Sequence, residues 1–164
     1  MLTPNSPHKI CNKTARVSDR LEMVHCAIAE EPTFELSTIE FDRPAPQYTV
    51  DTLDILKQNH PSADLILLLG ADSLRALTTW RHPADLVAGC REIGVMRRPG
   101  ESIQLATLEA ALPGLTNKVR FVEAPLLQIS SREIRRRIAE GLEFRYFLPH
   151  AVYEYILEHN LYRA

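Results

Sequence analysis

The feature that most constrains this chain is Leu65-Ile66-Leu67-Leu68-Leu69, five consecutive large apolar residues closed by Gly70. A run this short and unbroken reads as a strand covered on both faces of a parallel sheet, because a half-solvated strand would alternate. A buried helical turn is the competing reading, but the length and the terminal glycine favour a strand. Three further stretches read as strands: Phe34–Phe41, Glu92–Arg97 and Lys118–Glu123. The best run sits in the strand 64–69.

Helical patterns fill the gaps. In 19–30, Leu21, Val24 and Ile28 recur at offsets of three and four. In 49–58, Val50, Leu53 and Leu56 do the same, with Thr49 placed as an N-cap. Pro83 suits the first turn of a short helix ending near Gly89. Residues 103–112 form an amphipathic stretch stopped by Pro113-Gly114, and 130–140 and 149–159 read as two C-terminal helices. Alternating strands and helices predict one α/β domain over 1–164, a Rossmann-like, doubly wound, mostly parallel sheet with C-terminal helices. In such sheets ligands bind beyond the carboxyl ends of the strands. Residues 70–73, 97–100 and 124–135 are therefore the segments to inspect.

Composition narrows the partners. Nineteen basic against 21 acidic residues give a net charge of −2, so nothing in the overall charge argues for nucleic acid or a membrane as partner. No apolar run reaches the roughly 18 residues of a membrane span. Residues 1–9 lack the apolar core of a signal peptide. Cys11, Cys26 and Cys90 are scattered, with no C-x-x-C pair, which suits a reducing cytoplasm rather than a disulfide scaffold or zinc site.

The richest segment for chemistry is Ile129-Ser130-Ser131-Arg132-Glu133-Ile134-Arg135. Ser130 followed by Glu133 reads as a capping box. A helix start carries unpaired N–H groups and about half a positive charge, a ready anion site. Arg132, Arg135, Arg136 and Arg137 add cations where the macrodipole disfavours them, which points to a bound polyanion. A capped surface helix with solvated arginines is the plainer reading of the capping box alone. Gly70-Ala71-Asp72-Ser73-Leu74 follows the best strand. There a glycine admits close ligand approach, and Asp72 can accept ribose hydroxyls or, with Ser73, simply cap the next helix. Trp80, the only tryptophan, can stack on an aromatic ring or fill the core. Pro7-His8-Lys9 and Arg97-Arg98-Pro99-Gly100 are short basic loops able to hold a phosphate. Paired carboxylates, Cys–His pairs and metal-ligand clusters are not apparent.

In this order, the pieces resemble the bacterial nicotinate-nucleotide adenylyltransferase family of nucleotidylyltransferases. The matching residues are Pro7-His8-Lys9, Tyr48-Thr49, G-x-D-S-L at 70–74, Thr79-Trp80, R-P-G at 98–100, I-S-S-x-x-I-R at 129–135, and Arg145-Tyr146 through Leu148-Pro149. The last helix, Val152 to Tyr162, is also similar. The resemblance implies transfer of AMP from ATP to nicotinate mononucleotide, giving deamido-NAD and pyrophosphate in NAD biosynthesis, with Mg²⁺ accompanying ATP and no metal ligands from the protein. By that likeness Lys9 and Arg135 are the catalytic cations. Gly70, Asp72, Ser130, Ser131 and Arg135 bind ATP. Lys9, Thr49 and Trp80 bind the mononucleotide, Trp80 by stacking on the pyridine and Thr49 near its carboxylate end. An in-line displacement needs positioning and charge neutralisation rather than a protein nucleophile.

Two departures are small: Ser6 stands where the family commonly has proline, and Arg81 where tyrosine is frequent. A third is larger. The family opens with a strand leading into G-G-x-F-D-P and H-x-G-H, and neither motif occurs, Gly70 being the first glycine. The expectation is an N-terminally incomplete reading of a longer gene product that lacks a strand–helix unit. Such a chain should show at most a trace of activity and should aggregate or fold poorly. The alternatives are a non-catalytic, truncated nucleotide-binding domain, and another adenylyltransferase of the same fold, such as a phosphopantetheine adenylyltransferase. The tyrosine–threonine and threonine–tryptophan elements weigh against the latter. Homo-oligomer formation, and the choice between nicotinate and nicotinamide mononucleotides, stay open.

Overall fold

The structure is a computed structural model, and it describes residues 3–4, 15–97, 103–125 and 129–163. These fall into two compact units, one formed by the residues through Gln47 together with those from Ile129 onward, the other by Tyr48–Gln128.

The second unit holds the sheet. Its elements are α2 (Thr49–Asn59), β1 (Ile66–Gly70), α3 (Ala71–Arg75), α4 (Pro83–Gly89), β2 (Glu92–Met96), α5 (Leu105–Ala111), α6 (Leu115–Lys118) and β3 (Val119–Val122), while α1 (Val17–Ile28) precedes them in the other unit. The three strands pair in the order β1-β2-β3, all parallel, with Leu69 opposite Val95 and Val95 opposite Phe121. Three of the four expected strands are therefore present, each within two residues of its expected bounds.

Both crossovers advance the sheet in the same direction, and right-handed crossovers of that kind lay their helices on one face. That face is the core. Leu69, Ile93, Val95 and Val119 point into it and meet Leu53 of α2, Leu74 of α3, Leu86 of α4, Leu108 of α5 and Leu115 of α6. Leu74, Leu86, Ile93, Val95 and Leu115 are fully buried, each contributing about 1.5–3 kcal/mol.

The opposite face corrects the expectation that the 65–69 run is covered on both sides. Ile66 and Leu68 are 56% and 62% exposed, and Met96 and Val122 share their exposure. Successive strand residues alternate faces, and in this unit the helices pack on only one. An unbroken apolar run reports hydrophobicity, not which elements cover it.

The expected strand 34–41 is also corrected. The segment is irregular between a turn at each end, with the Phe34 N–H donating to Glu31 O and the Phe41 N–H to Thr38 O, and Phe34 is 64% exposed. Its apolar residues have no ladder partner among the described strands, and a strand without a partner leaves its backbone groups unsatisfied.

In the first unit, α1 packs with α7 (Ser131–Ala139) and α8 (His150–Glu158). Ile134, Ile138, Phe144, Val152 and Ile156 form its buried cluster. The Tyr155 O–H donates to Asp19 Oδ1 at 3.2 Å, tying α8 to α1. At the end of α7, the Leu142 N–H reaches Arg137 O and the Gly141 N–H reaches Ile138 O. This double closure needs a left-handed residue, and Gly141 supplies it at φ 69°. Among the described residues no helix is long and apolar enough to cross a membrane.

Candidate functional site

At the carboxyl edge of the sheet, β1 ends on Gly70 and α3 begins at once. Gly70, not Asp72 or Ser73, takes the N-cap position, and no side chain caps it. The reason for glycine is contact rather than conformation. Its φ is an ordinary −76°, but a Cβ there would lie 2.6 Å from Asp72 Oδ1. The exposed Asp72 carboxylate thus folds back over the end of the strand. Register pairs Gly70 with Met96, so Arg97 leaves the same edge beside it. The Arg97 guanidinium lies 4.1 Å from the ring centre of Phe121 on β3. Gly70, Asp72 and Arg97 therefore form one rim at the strand ends, where an α/β sheet offers its ligand crevice.

A second cluster lies in the same unit. Tyr48, with extended backbone, is the N-cap of α2, so the expected cap Thr49 is the first helical residue instead. Half-buried Trp80 ends a short 3-10 turn and packs, like Tyr48, against the hydrophobic core. The next residue, Arg81, places its guanidinium 4.7 Å from the centre of the Tyr48 ring. Thr49 and Trp80 are thus linked through their neighbours. Trp80 accordingly packs against the core while staying only half-buried.

The third cluster is α7 in the other unit. The Glu133 N–H donates to Ser130 Oγ at 3.2 Å, as expected of the cap. The Glu133 carboxylate instead receives two bonds from Arg136, at 2.9 and 2.7 Å, so only half of the capping box forms. Those bonds hold Glu133 below the usual carboxylate range and raise Arg136 further.

Arg136 also pairs with Glu140, and Arg137 contacts Glu133 and donates to Glu143 O at 2.6 Å. Both lie in the last turn of this nine-residue helix, where cations suit the dipole. The four-arginine cluster therefore reduces to two. Arg132 is exposed, and Arg135 lies 6.0 Å from the Tyr162 ring centre. Burial pushes the Tyr162 phenol above its usual range, and the Arg135 charge opposes that shift. Ser130 and Ser131 are exposed at the start of the helix.

Of the expected residues, Gly70 and Asp72 adjoin, Thr49 and Trp80 are linked, and Ser130, Ser131 and Arg135 share α7. Lys9 and the loop 98–100 lie outside the described residues. Among the described residues no group of three or more His, Cys, Asp or Glu side chains could hold a metal ion. Sequence reading missed the Arg81–Tyr48 and Arg97–Phe121 stacks, because such contacts join residues more than 20 positions apart and leave no periodic trace.

The cytidylyltransferase-like family model matches residues 1–137. The probable nicotinate-nucleotide adenylyltransferase of Thermomicrobium roseum is 41% identical over 96% of this chain and 73% of its own length. The protein of the same description from Roseiflexus sp. is 42% identical over 96% of this chain and 78% of its own. Among solved structures, the Plasmodium falciparum nicotinic acid mononucleotide adenylyltransferase complexed with NaAD superposes with a TM-score of 0.74 at 20% identity, covering 97% of this chain and 78% of that one. The same enzyme complexed with APC gives 0.69 at 20% identity, covering 90% and 76%. At that identity the structural likeness speaks for the fold.

Proposed function

This chain belongs to the nicotinate-nucleotide adenylyltransferase family, and from that premise we propose that it transfers AMP from ATP to nicotinate mononucleotide. A phosphate oxygen of the mononucleotide attacks the α-phosphorus of ATP, the α–β bridging bond breaks, and pyrophosphate leaves with the bonding pair. The product is deamido-NAD. The observation that carries the reading is identity above 40% sustained across 96% of the chain.

The residues supply what such a displacement requires. Ser130, Ser131 and the first N–H groups of α7 hold ATP phosphates, and Arg135 offsets the charge that develops as pyrophosphate departs. Gly70 lets the nucleotide approach the strand end, where Asp72 accepts its ribose hydroxyls. Trp80 stacks on the pyridine ring, Thr49 lies at its carboxylate end, and Lys9 neutralises phosphate. Mg²⁺ enters with ATP as part of the substrate. The scattered cysteines and modest net charge suit a cytoplasmic enzyme.

Two readouts test the proposal. Pyrophosphate and deamido-NAD are measured with ATP and nicotinate mononucleotide, and quenching of the single tryptophan reports binding without turnover. Saturable quenching by nicotinate mononucleotide, and product above the protein-free control, are expected. Product with phosphopantetheine but not with the mononucleotide would assign the chain to the sister activity.

A further inference from the structure

The arginines of α7 are held in two different ways. Arg136 pairs with Glu133 and Glu140, and Arg137 with Glu133. Arg135 is half-buried, belongs to no salt bridge among the described residues, and lies with its guanidinium 6.0 Å from the ring centre of Tyr162. It stands four residues after Ser131, so the two share one face of the helix. The backbone that delivers the Tyr162 ring is unusual. At the end of α8 the Leu161 N–H donates to Ile156 O at 3.0 Å and the Asn160 N–H to Leu157 O at 3.2 Å, closing a turn around Asn160 at φ 52°. Two residues on, Tyr162 is itself left-handed at φ 62°. Asparagine tolerates that conformation, but a bulky aromatic residue rarely adopts it. Packing against the cluster of Ile134, Ile138 and Ile156 holds the ring in place. Burial raises the phenol above its usual range, with the Arg135 and Arg20 charges opposing and Asp19 assisting.

We propose that Tyr162 is a positioning residue, its ring orienting the Arg135 guanidinium toward a nucleoside triphosphate without neutralising it. The inference rests on the reading of Arg135 as the cation at the ATP phosphates. A carboxylate in place of the ring would orient the arginine but cancel the charge that the phosphates need, as Glu133 does for Arg136. An aromatic face attracts a guanidinium through its quadrupole and carries no net charge. The ring also limits the rotamers of Arg135 in advance, so less side-chain freedom is lost when phosphate binds. At 6.0 Å the contact lies at the outer reach of such an attraction. It therefore biases Arg135 rather than clamping it, and its effect on binding is modest. The left-handed backbone fits this role, because strain persists where the surrounding structure fixes a side chain's place. Tyr162 acts through Arg135 alone.

The test measures affinity for Mg²⁺-ATP and, separately, for adenosine by calorimetry, using the 164-residue protein. Tyr162→Phe keeps the ring and should retain the ATP affinity. Tyr162→Leu keeps apolar bulk but no ring, and should weaken ATP roughly 3- to 10-fold, the size of one modest cation–ring contact. Adenosine carries no phosphate, so its affinity should stay unchanged. Arg135→Ala should weaken ATP by itself, and adding Tyr162→Leu to it should cost nothing further, because nothing is left to orient. Equal loss of ATP and adenosine affinity in Tyr162→Leu, or fully additive losses in the double variant, would reduce Tyr162 to a packing residue and overturn the proposal. An unchanged ATP affinity in Tyr162→Leu would overturn it while leaving Arg135 on the phosphates. An unchanged ATP affinity in Arg135→Ala would remove the Arg135 reading and this inference together. Thermal unfolding checks each fold, and should Tyr162→Leu fail to fold, Tyr162→Met is read against the same outcomes.

Discussion

Lys118 offers a severe test of how this α/β unit is held together. It closes α6 immediately before β3, and its ammonium donates to Val87 O at 2.8 Å, Ala88 O at 3.1 Å and Cys90 O at 2.7 Å. These carbonyls lie at and just beyond the end of α4, where backbone acceptors have no intrahelical partner and the dipole is negative. One side chain thus clamps the α4–β2 connection to the start of β3. Lys118→Met keeps most of the aliphatic stem and removes the charge. The Ala88 carbonyl is exposed and can turn to water, so it contributes little. The two part-buried bonds contribute about 1 kcal/mol each, and the charge at the helix end adds roughly 0.3–1 kcal/mol. The expected loss is about 2–3 kcal/mol, or a fall in Tm of roughly 5–10 °C for a protein of this size. Lys118→Arg should recover only part of it, because a planar fork cannot fan three N–H groups from one point. Urea unfolding with an unchanged slope measures the loss. Peptide-mapped alkylation of Cys90, whose thiol burial holds high while the Lys118 charge pulls it down, should accelerate as the connection loosens. A loss below about 0.5 kcal/mol, the usual size of an unspecific surface change, would refute the clamp.

Three further outcomes are expected. Trp80→Ala should weaken nicotinate mononucleotide roughly 5- to 150-fold, the range of one lost stacking contact, with ATP affinity nearly unchanged by calorimetry; equal losses for both ligands would make Trp80 a packing residue alone. Gly70→Ala is conformationally permitted at φ −76° but drives its Cβ against Asp72 Oδ1. It should therefore lower kcat/KM for ATP by roughly 10- to 100-fold at little change in Tm, and normal kcat/KM would exclude Asp72 from ribose binding. Glu109 accepts bonds from the Gly114 N–H, Thr116 N–H and Thr116 hydroxyl at 2.7, 2.8 and 2.6 Å, the Thr116 bonds foremost in holding its pKa below the ordinary carboxylate value. A depressed folded-state pKa contributes stability that is present above the ordinary value and lost as pH falls through the lowered one. Amide exchange at Gly114 and Thr116 should lose protection across that acidic window in the wild type and show no such step in Glu109→Gln; matching profiles would contradict the assignment.

The residue order alone determined much of this protein. Local periodicity and punctuation located all three parallel strands, the helices following Tyr48, His82 and Ser130, and the Gly70 turn, because each signal spans only a few residues. The I-S-S-x-x-I-R and Thr79-Trp80 elements, in register with others along the chain, carried the family resemblance. What tertiary structure decided depends on which distant element arrives. The stretch 34–41 has strand-like side chains but no ladder partner among the described strands, so it runs irregularly between turns at its two ends. Ile66 and Leu68 match their neighbours in hydrophobicity, yet parallel crossovers advancing in one direction cover only the other face. Arg136 and Arg137 looked like anion ligands until Glu133, Glu140 and Glu143 reached them. Arg81 and Lys118 found their partners 33 and about 30 residues away. A pattern within one segment records what that segment can bury or bond; three-dimensional packing determines which partner it meets.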